Sequence, residues 1–411
     1  MANLRGMGKK TGTSVLVTGI AGAVALAGAA QAGGFSRGTA DTDILFESGK
    51  FAMRIGAAHV MPQRGYDTIT SPLLGGTVNG TDGNYTDSYT VPSVAFKLQV
   101  VESVACAGTH THSFGASATY GSQAILAGKA DGTGTVSEGF TTNEFGLTCG
   151  ANFDAGPGQV WLIGGVFMQD FDYAQVVEFA SSASLGALAN TRATLSFDDE
   201  YRLGYRVGVA YEIPEIALRG QLLYRSAVDH TPNSTQGSFA TIAGAAPTFG
   251  SGTLPQSLEL KLQSGVAPGT LVFGSVKWTD WSVLQTLNYT ITAGPVAGPR
   301  LLEYFWKDGW TISGGVGRQF NDTVSGSLSL TWDQGVSTTE DAHTDTWTVA
   351  GGVAVAAGER GEFRFGGAVS YLTSGSVAAE AVPGSGPGNT FAYTVDNDWS
   401  YAVAGSFKVN W

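Results

Sequence analysis

The stretch that decides the fold is Asp398-Trp399-Ser400-Tyr401-Ala402-Val403-Ala404-Gly405-Ser406-Phe407-Lys408-Val409-Asn410-Trp411. Trp399, Tyr401, Val403, Gly405, Phe407, Val409 and Trp411 fall on one parity; Ala402, Ala404, Ser406, Lys408 and Asn410 fall on the other. Period two is the signature of a strand, whose side chains alternate between two faces. The apolar face carries a tryptophan at each tip. That suits a strand that crosses lipid and rests its ends in the two interfaces. Strands of soluble sandwiches also alternate, but they rarely place Trp at both ends of the apolar face. One such strand implies many, because in hydrocarbon only helices and closed barrels satisfy every backbone N–H and C=O.

Upstream, segments of the same kind recur from about residue 49. They fall near 49–61, 86–100, 108–122, 138–152, 159–179, 195–212, 215–230, 255–267, 270–287, 307–320, 323–335, 342–357, 361–375 and 396–411. Short connections of turn chemistry (Pro214-Glu215, Pro268-Gly269, Asn321-Asp322) alternate with long ones near 62–85, 123–137, 180–194, 231–254, 288–306 and 376–395. Short periplasmic turns and long outer loops are the barrel convention. The reading is an all-β chain: a monomeric transmembrane antiparallel β-barrel of about 14 strands over residues 49–411, with both termini periplasmic.

The N-terminus supplies the compartment. Arg5, Lys9 and Lys10 precede an apolar, small-residue run, and Ala30-Gln31-Ala32 has the A-x-A cleavage pattern. Residues 1–32 are therefore expected to be an export signal, and the mature chain a multi-pass protein of the bacterial outer membrane. Residues 33–48 remain before the first strand. Phe35, Ile44, Leu45 and Phe46 are too apolar for an exposed tail, so this segment is expected to fill the lumen as a short hatch.

Composition agrees. Of 411 residues 59 are Gly, and only 14% are charged against 11% aromatic, far from the roughly one-quarter charged residues of a soluble enzyme. The formal charge of −12 argues against nucleic acid as a partner. Cys106 and Cys149 are too few for a disulfide scaffold. If strands three and four form a hairpin across 123–137, the two cysteines face each other near its periplasmic end. A single bridge is then expected at a Cα separation of ~4.4–6.8 Å, with a reduced buried pair as the alternative. His110 and His112 share one strand face but lack a third ligand, so they read as polar residues near the aqueous rim and no metal is expected. No phosphate loop is present, and neither enzyme nor cofactor is anticipated.

Parity fixes what faces the lumen. With Tyr201, Leu203, Tyr205, Val207 and Val209 toward lipid, Arg202 and Arg206 point inward. The same logic turns Arg219, Arg225, Lys261 and Lys277 inward, with Leu271 and Phe273. A cation on the lipid face at mid-depth costs about 2–4 kcal/mol, so the sidedness is well determined. Two readings follow: some of these cations meet a ligand carboxylate while Leu271 and Phe273 line its tail, or all of them tie the lumen together with acidic partners.

Several segments resemble the FadL/TodX family of hydrophobic-substrate channels. They are Gly204-Tyr205-Arg206-Val207-Gly208-Val209-Ala210-Tyr211-Glu212-Ile213-Pro214-Glu215, Leu254-Pro255-Gln256-Ser257, Leu271-Val272-Phe273-Gly274-Ser275-Val276-Lys277-Trp278, and Gly314-Gly315-Val316-Gly317-Arg318-Gln319-Phe320-Asn321-Asp322. The resemblance runs in order over roughly residues 33–411. It implies a fourteen-stranded barrel obstructed by an N-terminal hatch, capture of apolar ligands (long-chain fatty acids foremost) between outer loops, a lumenal pocket, and a kink in the third strand that opens sideways to the membrane. In this chain the kink is expected within 113–121, at Gly115 and Ala116, and the apolar loop 239–249 is the expected capture surface. The hatch is shorter than in the best-known members. A terminal aromatic such as Trp411 implies recognition by the barrel-insertion machinery, and the outer face implies contact with lipopolysaccharide. A general aqueous porin and an outer-membrane lipid esterase remain as alternatives.

Overall fold

The computed structural model describes residues 33–79, 82–230, 235–380 and 389–411; the expected export signal lies outside them. Fourteen antiparallel strands form the wall: β1 (Phe51–Gln63), β2 (Tyr89–Val101), β3 (Val104–Thr119), β4 (Thr133–Ala155), β5 (Gly158–Phe179), β6 (Arg192–Ile213), β7 (Leu218–Arg225), β8 (Ser257–Ala267), β9 (Thr270–Thr279), β10 (Gly309–Gln319), β11 (Val324–Asp333), β12 (Thr346–Ala357), β13 (Gly361–Leu372) and β14 (Asp398–Asn410). Each pairs with its neighbour in sequence, and β14 closes on β1 from Ala52↔Asn410 to Gln63↔Trp399. Closure removes both sheet edges, which is what makes the wall viable in lipid. No helix among the described residues is long and apolar enough to cross a membrane.

The alternation predicted from sequence is the alternation seen. Leu203 is 76% exposed and Phe365 59%, values that make sense only against hydrocarbon, while Arg206, on the opposite parity of the same strand as Leu203, is buried. Trp310, Trp347, Trp399 and Tyr401 stand on the outer face toward one rim, and Phe51 packs against Trp411 at the other, with ring centroids 5.0 Å apart. Cys106 and Cys149 are register partners and are disulfide-bonded, their Cα atoms 4.0 Å apart.

Boundaries differ where loops carry structure of their own. β3 begins at Val104 and not near 108, and residues expected to close it or to form a loop instead make a helix, Ser122–Gly128. Asp82 caps that turn, accepting the Gln123 and Ala124 amides. β7 ends at Arg225, earlier than the predicted 230, because Ser226 turns its hydroxyl and amide to Tyr205. Two outer loops form hairpins that raise the wall. Residues 235–241 pair with β6, and 244–254 pair with 286–291. Of the expected capture loop, Phe239 is buried in this raised wall, while Ile242 is 63% exposed.

Candidate functional site

Residues 33–49 pack against the inward side of the wall. Ile44 and Leu45 are fully buried among Ala52, Ala95, Ala105, Ala107, Ala210 and Trp161. Those inward alanines leave the room that the two aliphatic side chains occupy. Phe46 packs on Trp161, its ring under the Arg219 guanidinium at 4.3 Å. Acidic residues interleaved with this apolar set bind the wall: Asp41 and Glu47 engage Arg54, Glu47 lies 3.2 Å from Lys408, and Asp43 lies 3.3 Å from Lys261 and 3.9 Å from Arg219.

Burial alone would raise the Asp43 and Glu47 carboxyls. Lys261 and Arg219 beside the first, and Lys408 and Arg54 beside the second, outweigh it and hold each at about 2. A carboxyl whose docked value is depressed stabilises docking above its ordinary range, roughly pH 4, and stops doing so only as pH falls through the docked value. Single-channel conductance is therefore expected to stay flat from about pH 7 to pH 4 and to rise only toward pH 2. A rise near pH 6 would contradict this anchoring.

Higher up, the segment meets a defect in the wall. The β2–β3 ladder runs from Val101↔Val104 to Ser93↔Thr111, and the next bridge is Thr86↔Ala118. Between them the strands face each other without pairing, and Pro92, which has no N–H to give, lies in the gap. On the other side of β3, the register with β4 shifts between His112 and Gly115. Ser113 and Phe114 turn inward there, held by the Thr142 hydroxyl. The N-terminal segment replaces the lost partner: the Arg37 amide donates to Ser113 O at 3.0 Å and the Gly115 amide to Phe35 O at 2.9 Å, with Ser36 bridged to Phe114. Arg37 is buried in the gap, its guanidinium 3.8 Å above the Tyr89 ring, and makes no salt bridge among the described residues. Gly38 fits tightly, since a Cβ there would lie 2.7 Å from His112 O and from Val91 Cγ1.

Two cavities meet at this level. The outer one is lined by Phe35, Phe140, Phe171, Tyr173, Phe197 and Tyr289, with His230 and aliphatic side chains. The inner one is lined by more polar and charged residues, Ser36, Gly38, Phe114, Glu144, Arg206, Arg225, Glu259 and Lys277 among others. Phe35 and Phe114 pack together at the boundary, with Trp281 and Trp306 behind them.

All six predicted cations have the inward parity expected, but five are ion-paired. Glu144 takes Arg206 and Arg225, the latter at 2.8 Å. Asp43 takes Arg219 and Lys261, and Asp199 lies 3.5 Å from Arg202. Lys277 alone among them makes no salt bridge among the described residues and lines the inner cavity. Leu271 and Phe273 pack on Ala217 and line neither cavity. Gly115 closes the shifted stretch, where a Cβ would lie 2.8 Å from Arg37 Nε, and Ala116 resumes regular pairing opposite Phe140. His110 stacks on Phe145 on the outer face, centroids 4.3 Å apart, and His112 neighbours it. Residue patterns had not singled out Arg37, Glu144, Pro92 or His230. Pro92 inside an otherwise regular strand was the one signal available.

No curated protein sequence matches the chain significantly. Among solved structures it is similar to a Pseudomonas aeruginosa FadL homologue (TM-score 0.71, 12% identity, 97% of this chain and 98% of that one). It is also similar to the toluene transporter TodX of Pseudomonas putida (0.61, 12%, 90% and 92%) and to the toluene transporter TbuX of Ralstonia pickettii (0.59, 13%, 94% and 97%). At these identities the likeness speaks for the fold alone. The sequence itself matches the model of the outer membrane protein transport family OMPP1/FadL/TodX over residues 18–326. Barrel, closure and family match agree: the chain is an outer-membrane β-barrel of the FadL/TodX family, whose members pass hydrophobic compounds.

Proposed function

We propose that the chain is a passive channel with no chemical step, which takes hydrophobic molecules into the aromatic cavity and releases them sideways through the gap between β2 and β3. The observation that carries this is that Phe35, which lines the aromatic cavity, shares a buried cluster with Phe114 at the gap, where residues 36–38 of the N-terminal segment lie. A long-chain fatty acid suits both parts. Its chain, at about 0.8 kcal/mol per buried CH₂, is held by the aromatic lining, and its carboxylate finds in Arg37 a buried guanidinium with no ion pair among the described residues. Residues 239–249 gather cargo at the outer rim, Trp411 presents the terminal strand to the barrel-insertion machinery, and a monomer in contact with lipopolysaccharide is the working unit.

Charge-assisted hydrogen bonds contribute about 1.5–3 kcal/mol, so Arg37→Met is expected to weaken binding of a long-chain fatty acid by roughly tenfold or more and to leave its methyl ester unaffected. Calorimetry on the purified barrel checks this, and equal fatty-acid affinity in both proteins would overturn the carboxylate role. An uncharged aromatic hydrocarbon is the second reading. The predominantly aromatic outer cavity favours it, and TodX and TbuX are described as toluene transporters.

A further inference from the structure

Two polar atoms on residues lining the aromatic cavity have no hydrogen-bond partner among the described residues: Nε2 of His230 and the phenolic oxygen of Tyr173. Both residues are buried, 4% and 6% exposed. Leaving such atoms unsatisfied carries a desolvation penalty, and each calls for an explanation. The other nitrogen of His230 is already committed, because Nδ1 bonds Asp199 Oδ2. An ionised carboxylate only accepts, so the hydrogen sits on Nδ1, and Nε2 is the acceptor of the ring in its neutral form. Asp199 also faces Arg202 at 3.5 Å, which fixes the carboxylate from its other side. Phe171 bridges the two orphans. Its ring stands 5.4 Å from His230 and lies parallel to Tyr173 at 6.5 Å. An acceptor and a phenol that can donate thus flank one apolar wall of the cavity.

We propose that the cavity selects hydrophobic molecules bearing a hydroxyl group, of the phenol or alkanol type, whose O–H donates to His230 Nε2, with the Tyr173 phenol a second polar group in the same lining. Asp199 is a positioning residue that sets the tautomer. This rests on the reading of the aromatic cavity as a cargo site. A plain hydrocarbon fills the same space but leaves both buried atoms unsatisfied, the situation in which a site built for a hydroxyl discriminates most strongly.

The test uses the full barrel in detergent and three probes of one shape: 1-naphthol, naphthalene and 1-methoxynaphthalene. Calorimetric affinities are referred to each probe's partition into empty micelles of the same detergent. Wild type is expected to hold 1-naphthol about tenfold more tightly than the other two, the yield of one well-made buried hydrogen bond. His230→Phe keeps a ring against Phe171 and removes the acceptor. It should abolish the preference, so that the three probes are then held alike. If wild type binds all three alike, the hydroxyl inference is overturned and the cargo site stands, as it would if ordered water satisfied the two atoms. If none binds beyond its micelle partition, the cargo-site reading falls and the inference with it. Should the variant fail to fold, the three-probe comparison on wild type decides alone.

Discussion

Gly38→Val is expected to raise single-channel conductance severalfold without lowering the yield of folded barrel. Residue 38 sits where the unpaired stretches of β2 and β3 part, and the space beyond its Cα is taken. A Cβ would fall 2.3 Å from Thr111 Oγ1 and 2.7 Å from the backbone oxygen of His112. The hydroxyl could rotate away, but the carbonyl belongs to the strand and cannot. Overpacking against fixed atoms costs typically 1–3 kcal/mol or more, which here falls on docking of the segment and not on the wall. The wall itself is held by its continuous ladders. Displaced residues 36–38 should also become accessible to protease. Wild-type conductance with a protected N-terminus would show that the gap tolerates a side chain, and that the segment is not closely fitted to it.

Glu144→Leu should be the most damaging single change in the lumen. Glu144 is buried on β4 and shared by Arg206 and Arg225, while both guanidiniums lie over the Phe167 ring, at 4.5 and 4.4 Å. Removing the one carboxylate leaves two buried cations facing each other. Breaking a buried pair from one side typically costs about 3–5 kcal/mol, because the surviving charge stays desolvated and unpaired. Urea or thermal unfolding in detergent should show a loss of that order. Arg206→Met added to Glu144→Leu should recover part of it, since the second change removes a stranded charge. A Glu144→Leu midpoint equal to wild type would mean that water or lipid headgroups reach the cluster.

What was legible in the sequence was whatever the bilayer imposes on every strand. Parity placed Arg202, Arg206, Arg219, Arg225, Lys261 and Lys277 on the lumenal side because a charge in hydrocarbon is too costly to misplace. It also set the register that brings Cys106 opposite Cys149. The apolar residues Phe35, Ile44 and Leu45 announced a buried segment, and they are buried. The lumen was harder to read, because contacts inside a barrel join residues far apart in the chain and no period records them. Arg225 meets Glu144 across 81 positions, and Lys408 meets Glu47 across 361. The kink shows the same division. A register shift falls between His112 and Gly115, at the edge of the small-residue stretch 113–121, but what surrounds it comes from elsewhere: Pro92 on the neighbouring strand and the backbone of residues 35–37, which bonds Ser113 and Gly115. His230, Tyr173 and Asp199 come from three different elements and carried no local signature at all.

The central claim is that cargo leaves through the gap that residues 36–38 occupy, and one measurement tests it most directly. Ser36 and Phe114 are bridged as an antiparallel pair flanked by the Arg37–Ser113 and Gly115–Phe35 hydrogen bonds. That is the narrow site of the ladder, where Cα atoms are about 4.5 Å apart and a disulfide can form. The double variant Ser36→Cys and Phe114→Cys, oxidised in the cell envelope, ties the segment into the opening. Uptake of a labelled long-chain fatty acid should fall at least about tenfold in the oxidised state and return on mild reduction, with wild type under the same reductant as the control for the Cys106–Cys149 bridge. Equal uptake by the oxidised and reduced double variant, with the crosslink confirmed by mass, would contradict the lateral route.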